Sequence, residues 1–367
     1  MIAPTLTLAA TSGSWIHDIG PVALQLGPLA IRWYGLSYVL GFIAGWWLLA
    51  RLSKRGLIAI PPDRVGDAAM YFVLGVVLGG RLGYAILYDP ALFVTFGKSF
   101  PFWALLEINK GGMASHGGIV GTIIASAVIA RGFKGPDGIR VGKCPPQHIM
   151  DTIAAVCPIG LGLGRLANFI NGELLGRIVA MPGKVGPWWA VRFPQEVLDD
   201  HAPKLTAQQE LDLRVVAARY ALPGDETFSQ QYQRLLDLLH AGGERAASIK
   251  QDLGPLLASR HPSQLYQFAA EGLVLGAVLW LIWRKPRKPG VVGCWFLITY
   301  GVLRVATEFW RLPDGHLAVQ RIAGLSRGQW LSVLMVVCGS VLLRHFTRKD
   351  AEKMGGWGTP RPKPAVT

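Results

Sequence analysis

Seven apolar stretches, each near the length that crosses a bilayer, constrain this chain more than any other feature. They fall at residues 29–50, 67–88, 113–131, 149–171, 263–283, 291–311 and 327–346. A membrane-crossing helix needs about 20 mainly apolar residues, and backbone facing lipid must satisfy its hydrogen bonds within its own segment. The stretches therefore predict seven transmembrane helices. Composition agrees: 51% of the 367 residues are hydrophobic and only 16% are charged, against about 25% charged in soluble domains. A disordered chain is excluded and a soluble enzyme is disfavoured. The expected class is an all-α polytopic membrane protein.

The placement of charge predicts orientation. The net charge of +14 resides in four short segments: +3 from Arg51 to Arg64, +3 from Arg131 to Lys143, +4 over 284–288 and +4 from Arg344 to Thr367. A basic chain can be a nucleic-acid binder. These segments, however, follow the first, third, fifth and seventh stretches, as cytoplasmic loops do. The N-terminus is expected in the periplasm and the C-terminus in the cytoplasm, with no nucleic-acid partner. No Lys or Arg precedes Arg32, so the charged start of a secretory signal is not expected.

Residues 1–172 are thus read as helices one to four with an interfacial outer loop at 89–112, which carries Phe100, Phe102 and Trp103. Residues 263–346 are read as helices five to seven, and 347–367 as a disordered cytoplasmic tail with Pro360, Pro362 and Pro364. Between them, 173–262 holds 11 acidic and 10 basic residues, a nearly neutral periplasmic arm. One helix there opens at Thr206 with Gln209 three residues on, a capping box. Another places Phe228, Tyr232, Leu235, Leu236 and Leu239 on one face and stops at Gly242-Gly243. The pair would pack on the membrane body or form an arm that guides substrate.

Ionisable groups inside membrane stretches are costly and mark candidate functional sites. The second stretch contains Gly79-Gly80-Arg81-Leu82-Gly83-Tyr84; Arg81 is a substrate-contact candidate or an interfacial cation beside packing glycines. The third opens with His116 between glycine pairs, suited to proton transfer or to one hydrogen bond with a neighbouring helix. The fourth ends in Gly164-Arg165-Leu166-Ala167-Asn168-Phe169-Ile170-Asn171-Gly172-Glu173-Leu174-Leu175-Gly176-Arg177. Arg165 and Asn168 share a helix face, and an arginine fork suits phosphate. The sixth places Tyr300, Arg304 and Glu308 on one face, either a buried ion pair or an arginine held for an anion. Tyr34, at the outer end of the first stretch, is a substrate contact or part of an aromatic belt.

This set suits an anionic lipid head group. It does not suit a metal, which needs clustered His or carboxylates, and no phosphate-loop or dinucleotide motif calls for a cofactor. The four cysteines, Cys144, Cys157, Cys294 and Cys338, have no metal or disulfide spacing.

At these residues the chain resembles the prolipoprotein diacylglyceryl transferase family. The 164–177 segment is similar to its signature, and His116-Gly117-Gly118, His261-Pro262-Ser263-Gln264-Leu265-Tyr266 and Tyr300-Gly301-Val302-Leu303-Arg304 resemble its other motifs, in order. The resemblance implies a bacterial inner-membrane enzyme acting on two partners, phosphatidylglycerol and the lipobox cysteine of a prolipoprotein signal peptide. The diacylglyceryl group would pass to the thiol, giving a thioether and glycerol phosphate. It implies catalytic roles for His116, Arg165 and Arg304, and substrate contacts or supports at Tyr34, Asn168, Glu173, Gly176, Tyr300 and Glu308. Ala167 and Gln267 depart from the family pattern, which often has Gly and Glu there, and 199–258 is longer than the family leads one to expect.

Rival classes fit less well. A retinal protein needs a Schiff-base Lys in the last stretch, which has none. An anion transporter would fit the arginines but not the missing internal repeat. His345 and Asp350 match an acyltransferase spacing at a frequency near chance.

Overall fold

The computed structural model describes residues 13–358, except 28, 99, 109–110, 136, 200–201, 313–320 and 323. The N-terminal dozen residues and the tail prolines 360, 362 and 364 lie outside the described residues. Along the chain run α1 (Trp33–Lys54), α2 (Val65–Leu87), α3 (Ser115–Ile129), α4 (Pro146–Val156), α5 (Pro158–Asn171), α6 (Ala207–Arg219), α7 (Phe228–Ala241), α8 (Gly243–Leu253), α9 (Ser263–Gln267), α10 (Leu275–Ile282), α11 (Val291–Thr307) and α12 (Arg327–Arg348). A π-helical segment, Phe268–Val274, joins α9 to α10. Among the described residues, five helical stretches are long and apolar enough to cross a membrane: Trp33–Lys54, Pro62–Leu87, Pro146–Asn171, Ser263–Ile282 and Gly328–Arg348. The other two expected stretches are the shorter apolar helices Ser115–Ile129 and Val291–Thr307. Pro158 divides the fourth stretch, because proline lacks the N–H that would continue the ladder of α4.

The chain is mostly but not wholly helical, which corrects the all-α expectation. Two compact units form: one of Met1–Leu40, Gly160–Val274 and Gly301–Leu334, the other of Gly41–Ile159, Leu275–Tyr300 and Met335–Thr367.

The first unit contains a four-stranded sheet. Trp15–Ile16 runs parallel to Val191–Arg192, which pairs antiparallel with Ser259–Arg260, which in turn pairs with Ile178–Ala180. Glu196 and Arg260 form a buried ion pair, and Glu196 also accepts the Ala258 N–H at 2.8 Å. Burial pushes the Glu196 carboxyl above the usual carboxylate range, against the pull of Arg260. The arm holds three helices where two were expected. α6 opens with the Thr206–Gln209 capping box as anticipated. A second box at Thr227–Gln230 starts α7, and after the Gly242-Gly243 stop the chain turns straight into α8. Tyr232, Leu235, Leu236 and Leu239 meet Leu213, Val216, Ile249 and Leu253 in one core, so the face read on α7 is the one buried. The Tyr232 hydroxyl donates to the Pro194 carbonyl at 2.8 Å.

The second unit is built on glycine. A Cβ on Gly75 would lie 2.6 Å from the Gly121 carbonyl oxygen, and one on Gly79 would lie 2.3 Å from that of Gly117. α2 and α3 therefore touch backbone to backbone, the small-residue mode of membrane helix packing. Asp151 on α4 accepts the N–H groups of Gly290 at 2.8 Å and Gly293 at 2.7 Å, satisfying donors at the start of α11 that a helix leaves unpaired. The tail, expected to be disordered, is paired as far as Gly358. Arg287 and Met354 exchange main-chain bonds of 3.0 and 2.8 Å, and the Trp357 indole donates to the Trp280 carbonyl at 2.6 Å.

Candidate active site

In the first unit, α5 presents Arg165 and Asn168 one turn apart, as the spacing predicts. Arg165 meets Glu271 of the π-helical segment, Nε to Oε2 at 2.9 Å and Nη2 to Oε1 at 3.4 Å. Glu271 is fully buried, and the Arg165 side chain is 19% exposed. The helices approach this closely because a Cβ on Gly272 would lie 2.9 Å from the Gly162 Cα. Sequence reasoning passed over Glu271, yet it is the one charged residue in 263–283, the signal used elsewhere for intramembrane sites.

α5 stops because the chain turns left-handed. Gly172 has φ +68° and Leu174 φ +54°, the second uncommon for a side chain with a Cβ. The turn is held from several directions. Glu173 N–H donates to the Asn168 carbonyl at 2.9 Å, Ser263 Oγ donates to the Leu174 carbonyl at 2.9 Å, and Gln264 Nε2 donates to the Glu173 carbonyl. The Glu173 carboxylate consequently folds back to accept from Asn168 Nδ2 at 3.3 Å and Asn171 Nδ2 at 3.1 Å. Tyr38 hydrogen-bonds Tyr34 and lies in the field of both Glu173 and Arg165. Tyr34, Arg165, Asn168 and Glu173 thus share one neighbourhood.

Gly176 has a backbone reason to be glycine: a Cβ there would lie 2.1 Å from the His261 carbonyl oxygen. Its own carbonyl accepts Arg260 Nη1 at 3.1 Å, and it forms a bridge with Arg311. Bonds of 2.9 Å from Arg177 N–H to the Trp310 carbonyl and 3.1 Å from Leu312 N–H to the Leu175 carbonyl close this seam. The seam sets the end of α11 beside the signature turn. There Arg304 Nη2 lies 3.1 Å from Glu308 Oε2, and Arg311 Nη1 lies 3.8 Å from the same oxygen. Ser326 Oγ donates to Glu308 Oε1 at 3.1 Å. Arg304 Nη1 is buried and has no hydrogen-bond partner among the described residues, and its side chain is only 12% exposed. Arg311 and Ser326 were not anticipated; Arg311 follows Glu308 at the i, i+3 spacing that brings side chains together. Beside the seam, His261 stacks on Trp189 with centroids 5.0 Å apart. Burial and the Arg177 charge both lower its pKa.

The remaining candidates belong to the second unit. Arg81 is buried and donates to four main-chain carbonyls: Nη2 to Ala104 at 2.6 Å, Nε to Leu105 at 2.8 Å, and Nη1 to Gly111 at 2.6 Å and Gly112 at 2.9 Å. Its guanidinium is occupied in anchoring the 104–112 loop, which accounts for it without substrate. His116 is exposed in the first turn of α3. The Tyr300 ring stacks on Phe296 at 5.6 Å.

An arginine with a buried donor unpaired among the described residues, two further arginines and an amide–carboxylate pair are groups of the kind that hold an anion bearing hydroxyl groups. Charge-assisted bonds of this kind are the strong ones, and fixed donors stabilise charge that grows during a reaction.

A family model described as prolipoprotein diacylglyceryl transferase matches residues 21–345. A phosphatidylglycerol–prolipoprotein diacylglyceryl transferase of Bdellovibrio bacteriovorus is 39% identical over 358 residues, which cover 93% of this chain and 97% of the relative. Proteins of the same name are 38% identical in Neisseria gonorrhoeae and 37% in Chromobacterium violaceum, each covering 91% of this chain and 98% of the relative.

Proposed function

Because the chain belongs to the prolipoprotein diacylglyceryl transferase family, we propose that it transfers the diacylglyceryl group of phosphatidylglycerol to the lipobox cysteine of a prolipoprotein. The thiol sulfur attacks the glyceryl carbon that carries the phosphate ester, the carbon–oxygen bond breaks, and glycerol phosphate leaves with the bonding electrons. The phosphate passes from one negative charge to about two near neutral pH. The observation that carries the reading is Arg304, whose buried Nη1 has no partner among the described residues while Nη2 lies 3.1 Å from Glu308 Oε2. Such a donor is free to strengthen its bond as charge develops on the leaving oxygen.

In this reading Arg165 and Arg304 bind the phosphate, Glu271 and Glu308 aim them, and Asn168 and Glu173 face the glycerol. Tyr34 and Gly176 line or shape the same neighbourhood, and Tyr300 supports α11. His116 is assigned the thiol proton on its chemistry: a free thiol has pKa about 8.5 and an imidazole about 6.5. The seven apolar helices are read as seven spans of a bacterial inner-membrane protein, N-terminus outside and basic loops inside, the arm being periplasmic. Two of the spans are short: 15 residues of α3 cover only about 22 Å.

The test is to incubate the purified protein with phosphatidylglycerol and a lipobox peptide, with and without Arg304→Ala. A diacylglyceryl adduct on cysteine and free glycerol phosphate, both lost in the variant, are expected by mass spectrometry. No adduct from folded protein sinks the transferase reading; full activity of the variant sinks the role of Arg304. His116→Gln turning over at the parent rate would remove the proton assignment.

A further inference from the structure

α9 and the π-helical segment carry a stripe of polar side chains that the reaction scheme leaves unused. Gln264, Gln267 and Glu271 are each fully buried. Their spacing places them on one side of the helix, because the wider π turn brings 267 and 271 nearly into line. Both ends of the stripe have known contacts. Gln264 Nε2 donates to the Glu173 carbonyl, and Glu271 holds Arg165. Gln267, one turn from each, therefore lies along the same side of α5, level with the region between Arg165 and Glu173.

Among the described residues neither amide atom of Gln267 has a partner, nor has Gln264 Oε1. Burying an amide without partners is expensive, more so in a segment that crosses lipid. A residue serving only the fold would gain by being Leu or Met. An amide offers two donors and an acceptor, which complements a diol, each hydroxyl of which donates and accepts. Gln267 sits about 5 Å along the helix from the Arg165–Glu271 pair, the distance that separates a phosphate from the outer hydroxyl of a glycerol esterified to it.

We propose that Gln267, flanked by Gln264, is the recognition site for the two head-group hydroxyls of the lipid donor, and so sets the choice of phosphatidylglycerol over phosphodiester lipids without a diol. The inference rests on the transferase reading and adds the residue that reads the head group. A pocket for the peptide main chain would also use an amide, but Gln267 neighbours the phosphate-binding arginine, so the lipid is the better occupant.

The experiment uses the full chain in vesicles with two donors of equal charge, phosphatidylglycerol and phosphatidylethanol, and a lipobox peptide acceptor. Gln267→Met, nearly isosteric, removes donors and acceptor together. It is expected to raise the KM for phosphatidylglycerol about tenfold or more, leave the KM for peptide unchanged, and reduce the preference over phosphatidylethanol by the same factor. In detergent without lipid it should melt no lower than the parent, since an unpaired buried amide has been replaced by an apolar group. Gln267→Asn, which keeps the amide but withdraws it by about 1.5 Å, should fall between the two and serves if the first variant does not fold. An unchanged donor preference overturns the proposal, as does a rise confined to the peptide KM. Arg304→Ala run alongside separates the failures: if it is inactive while Gln267→Met keeps its discrimination, only the head-group assignment is lost.

Discussion

Removing Arg165 should expose how much of its role is structural and how much chemical. The fully buried Glu271 carboxylate receives Arg165 at 2.9 and 3.4 Å. Arg165→Met leaves that charge without its main partner, and breaking a buried pair from one side costs about 3–5 kcal/mol. At roughly 2–4 °C per kcal/mol for a large domain, the melting temperature should fall on the order of 10 °C. In the double variant Arg165→Met with Glu271→Leu both charges are gone, and apolar groups of similar volume replace a buried pair at little net cost. Thermal unfolding of the parent, both single variants and the double closes the cycle. The double should regain most of the lost stability while its diacylglyceryl transfer falls by about a hundredfold or more, because Arg304 is left to hold the phosphate without Arg165. Transfer at the parent rate by the stable double variant would refute the phosphate role. A single variant as stable as the parent would refute the buried pair itself.

Three further outcomes follow from the same structure. His17 is fully buried among Trp15, Phe169 and Phe193, and burial lowers its pKa from 6.5 to about 4. The unfolded chain therefore binds a proton between those values that the folded chain refuses, so stability falls as pH drops from about 6.5 to 4, by up to about 3 kcal/mol. His17→Asn should flatten that part of a melting-temperature profile, and an unaltered profile would count against the assignment. Asp151→Ala strands two N–H groups at the start of α11 and should cost about 1–3 kcal/mol in detergent melts, with the lipid KM unchanged. Arg81→Met frees the carbonyls of Ala104, Leu105, Gly111 and Gly112, so limited proteolysis should cut within 104–112 well before the parent is cut; equal cutting would refute its anchoring role.

Some of this was legible in the one-dimensional pattern. The apolar stretches and the Thr206 cap rest on local rules, hydropathy and hydrogen bonds between near neighbours; among the described residues five of the stretches hold helices long enough to cross a membrane, two hold shorter apolar helices, and the cap opens α6. Arg165, Arg304 and Glu308 were visible because a charge in an apolar stretch is costly wherever it folds, and Asn168 because it shares a helix face with Arg165. Glu271 obeys the same rule and was readable, but nothing local identified Arg165 as its partner 106 residues away.

The tertiary structure alone decided the pairings. Gly176 must be glycine because the His261 backbone crosses it, and Arg311 enters the site because residues 310–312 pair with 175–177. The glycines around His116 could have opened a ligand path, and Gly117 instead seats α3 against Gly79 of α2. Arg81 looked like a substrate contact by type and place, and only the return of the 104–112 loop occupied its donors. Which groups had to be kept from lipid follows from residue type and position alone, since that cost depends on the residue and its stretch. Which groups satisfy one another depends on chain segments brought together from afar, and no spacing along the chain encodes that.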